Sequence, residues 1–173
     1  MRTSENGFTL LELLIVATLI VIIVAIAIPG LMRARLSGDE ASALSSIRAV
    51  LSAQSTFAAS CGSGYFAPSL VRLATPPTAG GGDGFVGTDL STDPAGKSGY
   101  IVYLTPGTAD VASPASCNGA ATGTLPSTYF VNADPVSMGS RYFGANQGGT
   151  IYQGSTSVTV TMSGAPPGAT PVQ

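Results

Sequence analysis

The sequence predicts an α+β protein in which a long N-terminal α-helix packs on a small antiparallel β-sheet head. An uncharged apolar segment runs from Leu13 to Met32, and apolar residues then recur at helical spacing as far as residue 60. Beyond residue 60, short β-branched and aromatic segments alternate with loops rich in glycine and proline. Helical and strand patterns that occupy separate parts of a chain are typical of α+β folds.

The apolar segment matches a membrane span in length. About 20 residues at about 1.5 Å per residue cover about 30 Å, the thickness of a bilayer's hydrocarbon core. Glu12 lies near the start of this segment. An isolated charge in hydrocarbon costs at least about 2.5 kcal/mol, so an intramembrane carboxylate is a candidate functional group. The alternative is a glutamate whose side chain reaches the membrane–water interface.

A cleaved secretory signal is a second interpretation of the N-terminus. The Ala25-Ile26-Ala27 tripeptide has the small-residue pattern of a signal-peptidase site. Two features disfavour it, because Glu12 interrupts the apolar region and the helical pattern continues without a break past residue 30. Basic residues lie on both flanks of the span, so charge alone does not predict its orientation.

The second half of the helix is predicted to be amphipathic. Pro29 lacks a backbone donor and Gly30 is a weak helix former, so we expect a kink or local unwinding there. The helix should end at residues 61–64, where two glycines permit a left-handed cap. The predicted apolar stripe comprises Leu44, Ile47, Leu51 and Ala58, flanked by Ala43, Val50 and Phe57, and the polar side comprises Ser42, Ser45, Ser46, Arg48, Ser52 and Ser55.

The head is predicted to contain several short strands. Residues 99–105 and 127–133 are rich in β-branched and aromatic residues, and residues 140–153 form a hairpin that turns at 146–149. Residues 157–162 are expected to add an edge strand. The predicted divisions are a leader at 1–7, a transmembrane helix at 8–32, an amphipathic helix at 33–61, a head at 62–164 and a disordered tail at 165–173.

Composition argues against catalysis and nucleic-acid binding. The chain has no histidine, 9 % charged residues and a net charge of −2, and it contains no nucleophile-elbow or phosphate-loop motif. Lys97 adjoins Ser98, but neighbouring residues in a turn are weak evidence for a Ser–Lys pair. We therefore expect no enzyme activity and no cofactor, and weak affinity for nucleic acid.

Three acids in one loop raise the alternative of a calcium site. Asp83, Asp89 and Asp93 lie close together in sequence, but their spacing lacks the regular alternation of an EF-hand loop. Solvated turn residues are the preferred interpretation, and no metal is predicted.

The two cysteines, Cys61 and Cys117, follow the apolar segment, and an even count favours one disulfide. Two separate buried thiols are the alternative.

The segment G-F-T-L-L-E-L-L-I-V resembles the processing and assembly motif of type IV prepilins and pseudopilins. The resemblance implies that a membrane prepilin peptidase cuts between Gly7 and Phe8 and that the new amine of Phe8 is methylated. It implies the type IV pilin fold, and Pro29 falls where many family members have a proline. The segment R-Y-F…G-G-T-I-Y, from Arg141 to Tyr152, is similar to the last hairpin of many type IV pilins.

The resemblance also implies a role for Glu12. Cleavage creates a cation on Phe8, one helical turn before Glu12, and a buried carboxylate requires such a partner. In the family this glutamate is thought to set the register of an incoming subunit by pairing with a neighbour's Phe amine.

The implied protein is a structural subunit of a type IV pilus. Its precursor spans the inner membrane once with a periplasmic head, and the mature chain joins a homo-oligomeric extracellular filament. Its implied partners are the peptidase, membrane lipid, an assembly ATPase and a platform protein.

Three alternatives remain open. The chain could be a pseudopilin of a type II secretion system, since the segment at 92–100, T-D-P-A-G-K-S-G-Y, faintly resembles an element of the major pseudopilin. It could be a minor pilin with an adhesive or DNA-uptake role. It could also be an anchored monomer that never polymerises.

Overall fold

The computed structural model describes residues 7–79, 81–137 and 140–172. It has an α+β architecture, as predicted. The helices are α1 (Leu10–Ser60) and α2 (Leu70–Ala74), with a short 3₁₀ turn at Thr88–Leu90. The strands are β1 (Ala95–Lys97), β2 (Tyr100–Pro106), β3 (Tyr129–Pro135), β4 (Tyr142–Asn146), β5 (Ile151–Gly154) and β6 (Thr170–Pro171).

The chain divides into two compact units, the first ending at Gly38 and the second beginning at Asp39. In the first unit every described side chain up to Arg35 is exposed. The backbone stays helical through Pro29 and Gly30, so the structure shows no local unwinding at these residues. The kink at the same position stays a prediction. Proline has no N–H, so the carbonyl of Ala25 receives no bond from residue 29.

The second unit begins at Asp39 and contains the second half of α1 together with the predicted head. We call this whole unit the head from here on, and its sheet is antiparallel throughout. The six strands pair in chain order, β1-β2-β3-β4-β5-β6. β2 and β3 form the longest ladder, from Tyr100 opposite Pro135 to Pro106 opposite Tyr129. The predicted hairpin is confirmed, because β4 and β5 are joined by a turn in which the N–H of Gly149 donates to the carbonyl of Asn146 at 3.0 Å.

The second half of α1 packs on the sheet, but its buried stripe is rotated from the predicted one. Leu44, Leu51 and Ala58 are only half-buried at the edge of the contact. Ser46 belongs to the predicted polar side but is buried, and its hydroxyl is satisfied by donating to the carbonyl of Ser42 at 3.0 Å. The buried residues of α1 are Ala43, Ser46, Ile47, Val50, Ala53, Gln54 and Phe57.

The end of α1 follows the prediction. The helix stops at Ser60, and the N–H of Gly62 donates to the carbonyl of Phe57 at 2.7 Å. Gly64 has a φ of +94°, a left-handed conformation that glycine adopts without steric cost. The chain is therefore free to reverse direction and to pack residues 65–74 against the helix.

The predicted edge strand at 157–162 is wrong. Residues 155–169, the C-terminal strap, cross the face of the sheet that α1 does not cover, and Val158 packs there against Phe130 and Tyr152. Side-chain amides of the sheet, rather than a backbone ladder, satisfy the strap's carbonyls. The side-chain amide of Asn132 donates to the carbonyl of Val158 at 3.0 Å. The amide of Asn146 donates to the carbonyls of Thr161 at 3.1 Å and Gly164 at 2.9 Å, and the amide of Gln147 donates to the carbonyl of Met162.

The strand at the sheet's last edge comes from the expected disordered tail. Thr170 and Pro171 form β6 beside β5, and the N–H of Val172 donates to the carbonyl of Ile151 at 2.8 Å. The expectation of disorder is therefore wrong for these residues. Proline suits an edge position, because its missing donor faces no further strand.

Candidate processing and assembly site

The start of α1 is fixed by a side-chain cap. The N–H of Glu12 donates to the hydroxyl oxygen of Thr9 at 3.2 Å, and the N–H of Leu13 donates to the Thr9 carbonyl at 3.3 Å. Thr9 is the N-cap, and Glu12 occupies the third helical position, so T-L-L-E has the spacing of a capping box. The same tetrapeptide thus defines both the helix start and the position of the acid.

The bond between Gly7 and Phe8 lies on exposed backbone just before the helix. A methyl group added at Gly7 would meet none of the described atoms beyond its chain neighbours within 4 Å, and the Phe8 side chain is 76 % exposed. The backbone around this bond is not held in regular structure, so a peptidase can bind it in extended form. Any need for glycine at residue 7 must therefore come from the peptidase and not from this fold.

The carboxylate of Glu12 is exposed, and in the described part of the chain no cation pairs with it. Its position in the first turn is favourable by itself, because the unpaired N–H groups of a helix N-terminus attract negative charge. A new amine at Phe8 would lie four residues before Glu12 and add a full positive charge to the same turn.

The helix surface after Glu12 is apolar on every side. The exposed side chains from residue 13 onward include Leu13, Leu14, Ile15, Val16, Leu19, Ile20, Val21, Ile22, Ile23, Val24, Ile26, Ile28, Leu31 and Met32. A helix that is hydrophobic all round is stable only when lipid or other protein covers it. By length and composition, α1 is able to cross a membrane.

Residues 2–28 match the family model described as the prokaryotic N-terminal methylation motif. This match agrees with the resemblance of the segment to the leaders of type IV prepilins and pseudopilins. The motif points to a structural protein, and it implies filament assembly and processing by a prepilin peptidase in general. Together with the apolar helix it fits a membrane-anchored precursor. No curated protein and no solved structure matches the chain.

The head agrees with this assignment in architecture. A long N-terminal helix packed on an antiparallel sheet is a type IV pilin-like α+β arrangement. The family match stops at residue 28, so the motif itself says nothing of the head. The motif supports a pilin or a pseudopilin and does not distinguish between them.

Cys61 and Cys117 form a disulfide, so the alternative of two separate thiols is wrong. Their Cα atoms are 4.9 Å apart, and the N–H of Cys117 also donates to the Cys61 carbonyl at 3.2 Å. The bond ties the end of α1 to the long loop between β2 and β3. Disulfides persist in oxidising compartments and are rare in the cytosol.

Two of the three loop acids have separate partners, and the third, Asp83, is exposed. Asp93 accepts from the N–H of Leu70 at 2.9 Å and from the N–H of Leu104 at 3.3 Å, joining α2 to β2. Asp89 pairs with Lys97, whose hydrogen bond lowers the pKa of the Asp89 carboxyl. Within residues 7–79, 81–137 and 140–172, no group of three or more His, Cys, Asp or Glu is placed to hold a metal ion.

The neighbouring residues Lys97 and Ser98 do not act together. The Lys97 amine is paired with Asp89, whereas the Ser98 hydroxyl accepts from the hydroxyl of Ser42 at 3.0 Å. The two side chains therefore contact different elements, and the geometry of a Ser–Lys nucleophile is not formed.

Sequence reasoning missed three polar features. The role of Thr9 was detectable, because T-x-x-E before an apolar run signals a capping box. Gln54 was not, since nothing distinguishes a lone glutamine on a helix rich in alanine and serine. The pair of Glu40 and Arg141, which join with an N–O distance of 2.6 Å, was also hidden, because 101 residues separate them.

Proposed function

We propose that this protein is a structural subunit of a type IV pilus, made as a prepilin and polymerised through its apolar helix. Residues 1–7 are the leader, and cleavage between Gly7 and Phe8 produces a mature chain with a methylated N-terminal Phe8. The observation that carries the proposal is the coincidence of the methylation motif with the first half of α1, in which every apolar side chain from Leu10 to Arg35 is exposed.

The exposed helix accounts for membrane storage and for assembly. As a precursor, the subunit keeps the apolar segment in inner-membrane lipid, with its head in the periplasm. On assembly the same surface transfers from lipid to neighbouring helices. Lipid tails are as apolar as leucine, so this transfer gains no hydrophobic energy, and close packing between helices must stabilise the filament instead. An assembly ATPase and a platform protein would supply the work that extracts the helix.

Glu12 supplies the register in this proposal. Packing between uniformly apolar helices is tolerant of sliding, whereas a charge pair in a low-dielectric core has one favourable position. The amine of Phe8 on a neighbouring subunit is the partner, and it exists only after cleavage. Processing is thereby linked to assembly, because an uncut chain lacks the cation that Glu12 requires.

Charge removal at Glu12 tests the proposal. The chain is expressed with a prepilin peptidase and the assembly machinery, and filaments are counted by electron microscopy. We expect Glu12→Gln and Glu12→Ala to reduce filament yield at least tenfold while the processed subunit still accumulates in the membrane. Glu12→Asp is the matched control, because it keeps a carboxylate at the same position and should retain more of the filament yield than Glu12→Gln.

Three results would contradict this account. Filaments of normal yield and architecture from Glu12→Ala would eliminate the register role. Absence of this chain from every filament, with the processed subunit present as a monomer, would favour an anchored protein. Short periplasmic filaments that depend on secretion components would instead assign the chain to the pseudopilins.

A further inference from the structure

Glu40 and Arg141 form the most extensive ion pair in the described structure. The Nε and Nη2 atoms of Arg141 donate to Glu40 Oε2 at 3.1 and 2.6 Å, and the backbone N–H of Arg141 donates to Oε1 at 3.2 Å. Both carboxylate oxygens are therefore engaged. Charge-assisted hydrogen bonds of this multidentate kind are about twice as strong as neutral ones.

Arg141 is held in place by three strands of the sheet. Its Nη1 atom donates to Gln153 Oε1 at 2.7 Å on β5, and its carbonyl accepts from the hydroxyl of Tyr100 at 2.8 Å on β2. Its guanidinium lies 5.7 Å from the ring centroid of Phe143 on β4. Because these contacts orient Arg141 independently of Glu40, we expect little side-chain entropy to be lost when the pair forms.

The position of Glu40 on α1 gives the pair its significance. Glu40 follows Gly38 by two residues, and the first fully buried side chain of the helix, Ala43, lies one turn further on. Its side chain is 16 % exposed, whereas that of Arg141 is 53 % exposed. Apart from the weaker hydroxyl contact of Ser42 with Ser98, the pair is the principal polar attachment of this turn.

The opposite end of the same helix is attached in a different way. There the Cys61–Cys117 disulfide is covalent, and the Gln54 amide both donates to and accepts from the backbone of Ala67, at 2.9 and 2.8 Å. One end of the head-packed helix is thus fixed permanently, and the other is held by an ion pair that water and salt can reach through Arg141.

We propose that the Glu40–Arg141 pair is a reversible latch that holds residues 39–47 of α1 on the sheet. When it opens, these turns separate from the sheet while residues 50–60 and the strands stay folded. The opening unit is small, since it contains one large buried apolar side chain, Ile47. The proposal rests on contacts inside the head and stands whether or not the chain forms filaments.

Hydrogen exchange measured by mass spectrometry tests the latch on the full chain in detergent micelles. In Glu40→Gln and in Arg141→Gln we expect amide exchange within residues 39–47 to become about fourfold faster. Exchange in residues 50–60 and in β3 should stay within twofold of the wild type. High salt should produce part of the same change in the wild-type protein.

Two further variants make the test specific. Lys97→Gln breaks the other ion pair, Lys97–Asp89, and should leave exchange in residues 39–47 unchanged. The double reversal Glu40→Arg with Arg141→Glu should recover part of the lost protection. Unchanged exchange at 39–47 in both single variants would overturn the latch. An equal rise across the whole head would also overturn it, because the pair would then support the fold as a whole.

Discussion

The two halves of α1 have the same secondary structure and opposite environments. From Leu10 to Arg35 no side chain is buried, although this half is the more apolar. From Asp39 to Ser60 seven side chains are buried, and two of them, Ser46 and Gln54, are polar. Hydrophobicity alone therefore does not identify the core of the head. The first half is suited to lipid or to other subunits, and the second to its own sheet.

The largest expected effect on the second half comes from breaking its disulfide. The bond closes a loop with a sequence separation of 56, for which chain entropy predicts about 4 kcal/mol of stabilisation. We expect Cys61→Ser with Cys117→Ser to lower the free energy of unfolding of the head by about that amount in urea titrations. Reduction of the wild-type protein with dithiothreitol is the control. A change below about 1 kcal/mol would mean that packing alone holds the helix end.

A matched pair of isoleucines compares the two halves directly. Ile47 is fully buried, whereas Ile22 is 58 % exposed. Ile47→Ala should reduce the unfolding free energy of the head by about 3 kcal/mol, since it removes transfer energy and leaves a cavity. Ile22→Ala should leave it unchanged. Thermal and urea unfolding of both variants in the same detergent measures the difference. Equal effects would contradict the claim that only the second half of α1 contributes to the stability of the head.

Gln54 tests the polar part of the buried stripe. Replacement with alanine leaves the N–H and carbonyl of buried Ala67 without partners, which should cost about 2 kcal/mol. Ser52→Ala, on the exposed side of the same helix, is the control and should have little effect. If the two variants unfold at the same urea concentration, water replaces the amide and the bonds contribute nothing.

The smallest expected effect is the pH dependence of the latch. The hydrogen bond from Arg141 holds the pKa of the Glu40 carboxyl below its usual value of 4.5. The stabilisation is therefore present above pH 4.5 and is lost as pH falls through the lower, folded-state pKa. Tyr100, whose pKa burial raises to about 12, stays neutral throughout, and Arg141 stays charged.

A comparison with Glu40→Gln isolates this carboxyl, because Asp39 and the other acids are common to both proteins. The stability difference should be below about 1 kcal/mol at pH 7, since Arg141 is more than half exposed, and it should shrink below pH 4.5. Unfolding free energies at pH 3, 5 and 7 measure it. A difference that grows toward pH 3 would contradict the assigned direction of the pKa.

The elements of the fold that the sequence predicts are those with strong local sequence patterns. The apolar run, the glycines after Ser60 and the aromatic and β-branched strands each specify their structure through nearby residues, and these elements were predicted. The strand prediction for the strap was wrong, although its alternating pattern, S-V-T-V-T-M, favours a strand. Side-chain amides of Asn132, Asn146 and Gln147 satisfy the strap's carbonyls instead of a neighbouring strand.

For the candidate site, the sequence alone predicts Gly7, Phe8 and Glu12, because the whole motif lies within one short segment. Contacts between residues far apart in the chain could not be predicted from the sequence, since no local pattern pairs Glu40 with Arg141 or Gln54 with Ala67. The exact rotation of the buried stripe was missed for a similar reason, because a helix rich in alanine and serine offers little contrast between its faces.

The mass of the mature N-terminus tests the central claim most directly. The chain is expressed with a prepilin peptidase, recovered from membranes and filaments, and its N-terminal peptide is sequenced by mass spectrometry. The account predicts a methylated Phe8 as the first residue. A first residue of Ile28 would identify a conventional secreted protein, and an intact N-terminus at Met1 in assembled filaments would show that cleavage and the Phe8 amine are not required.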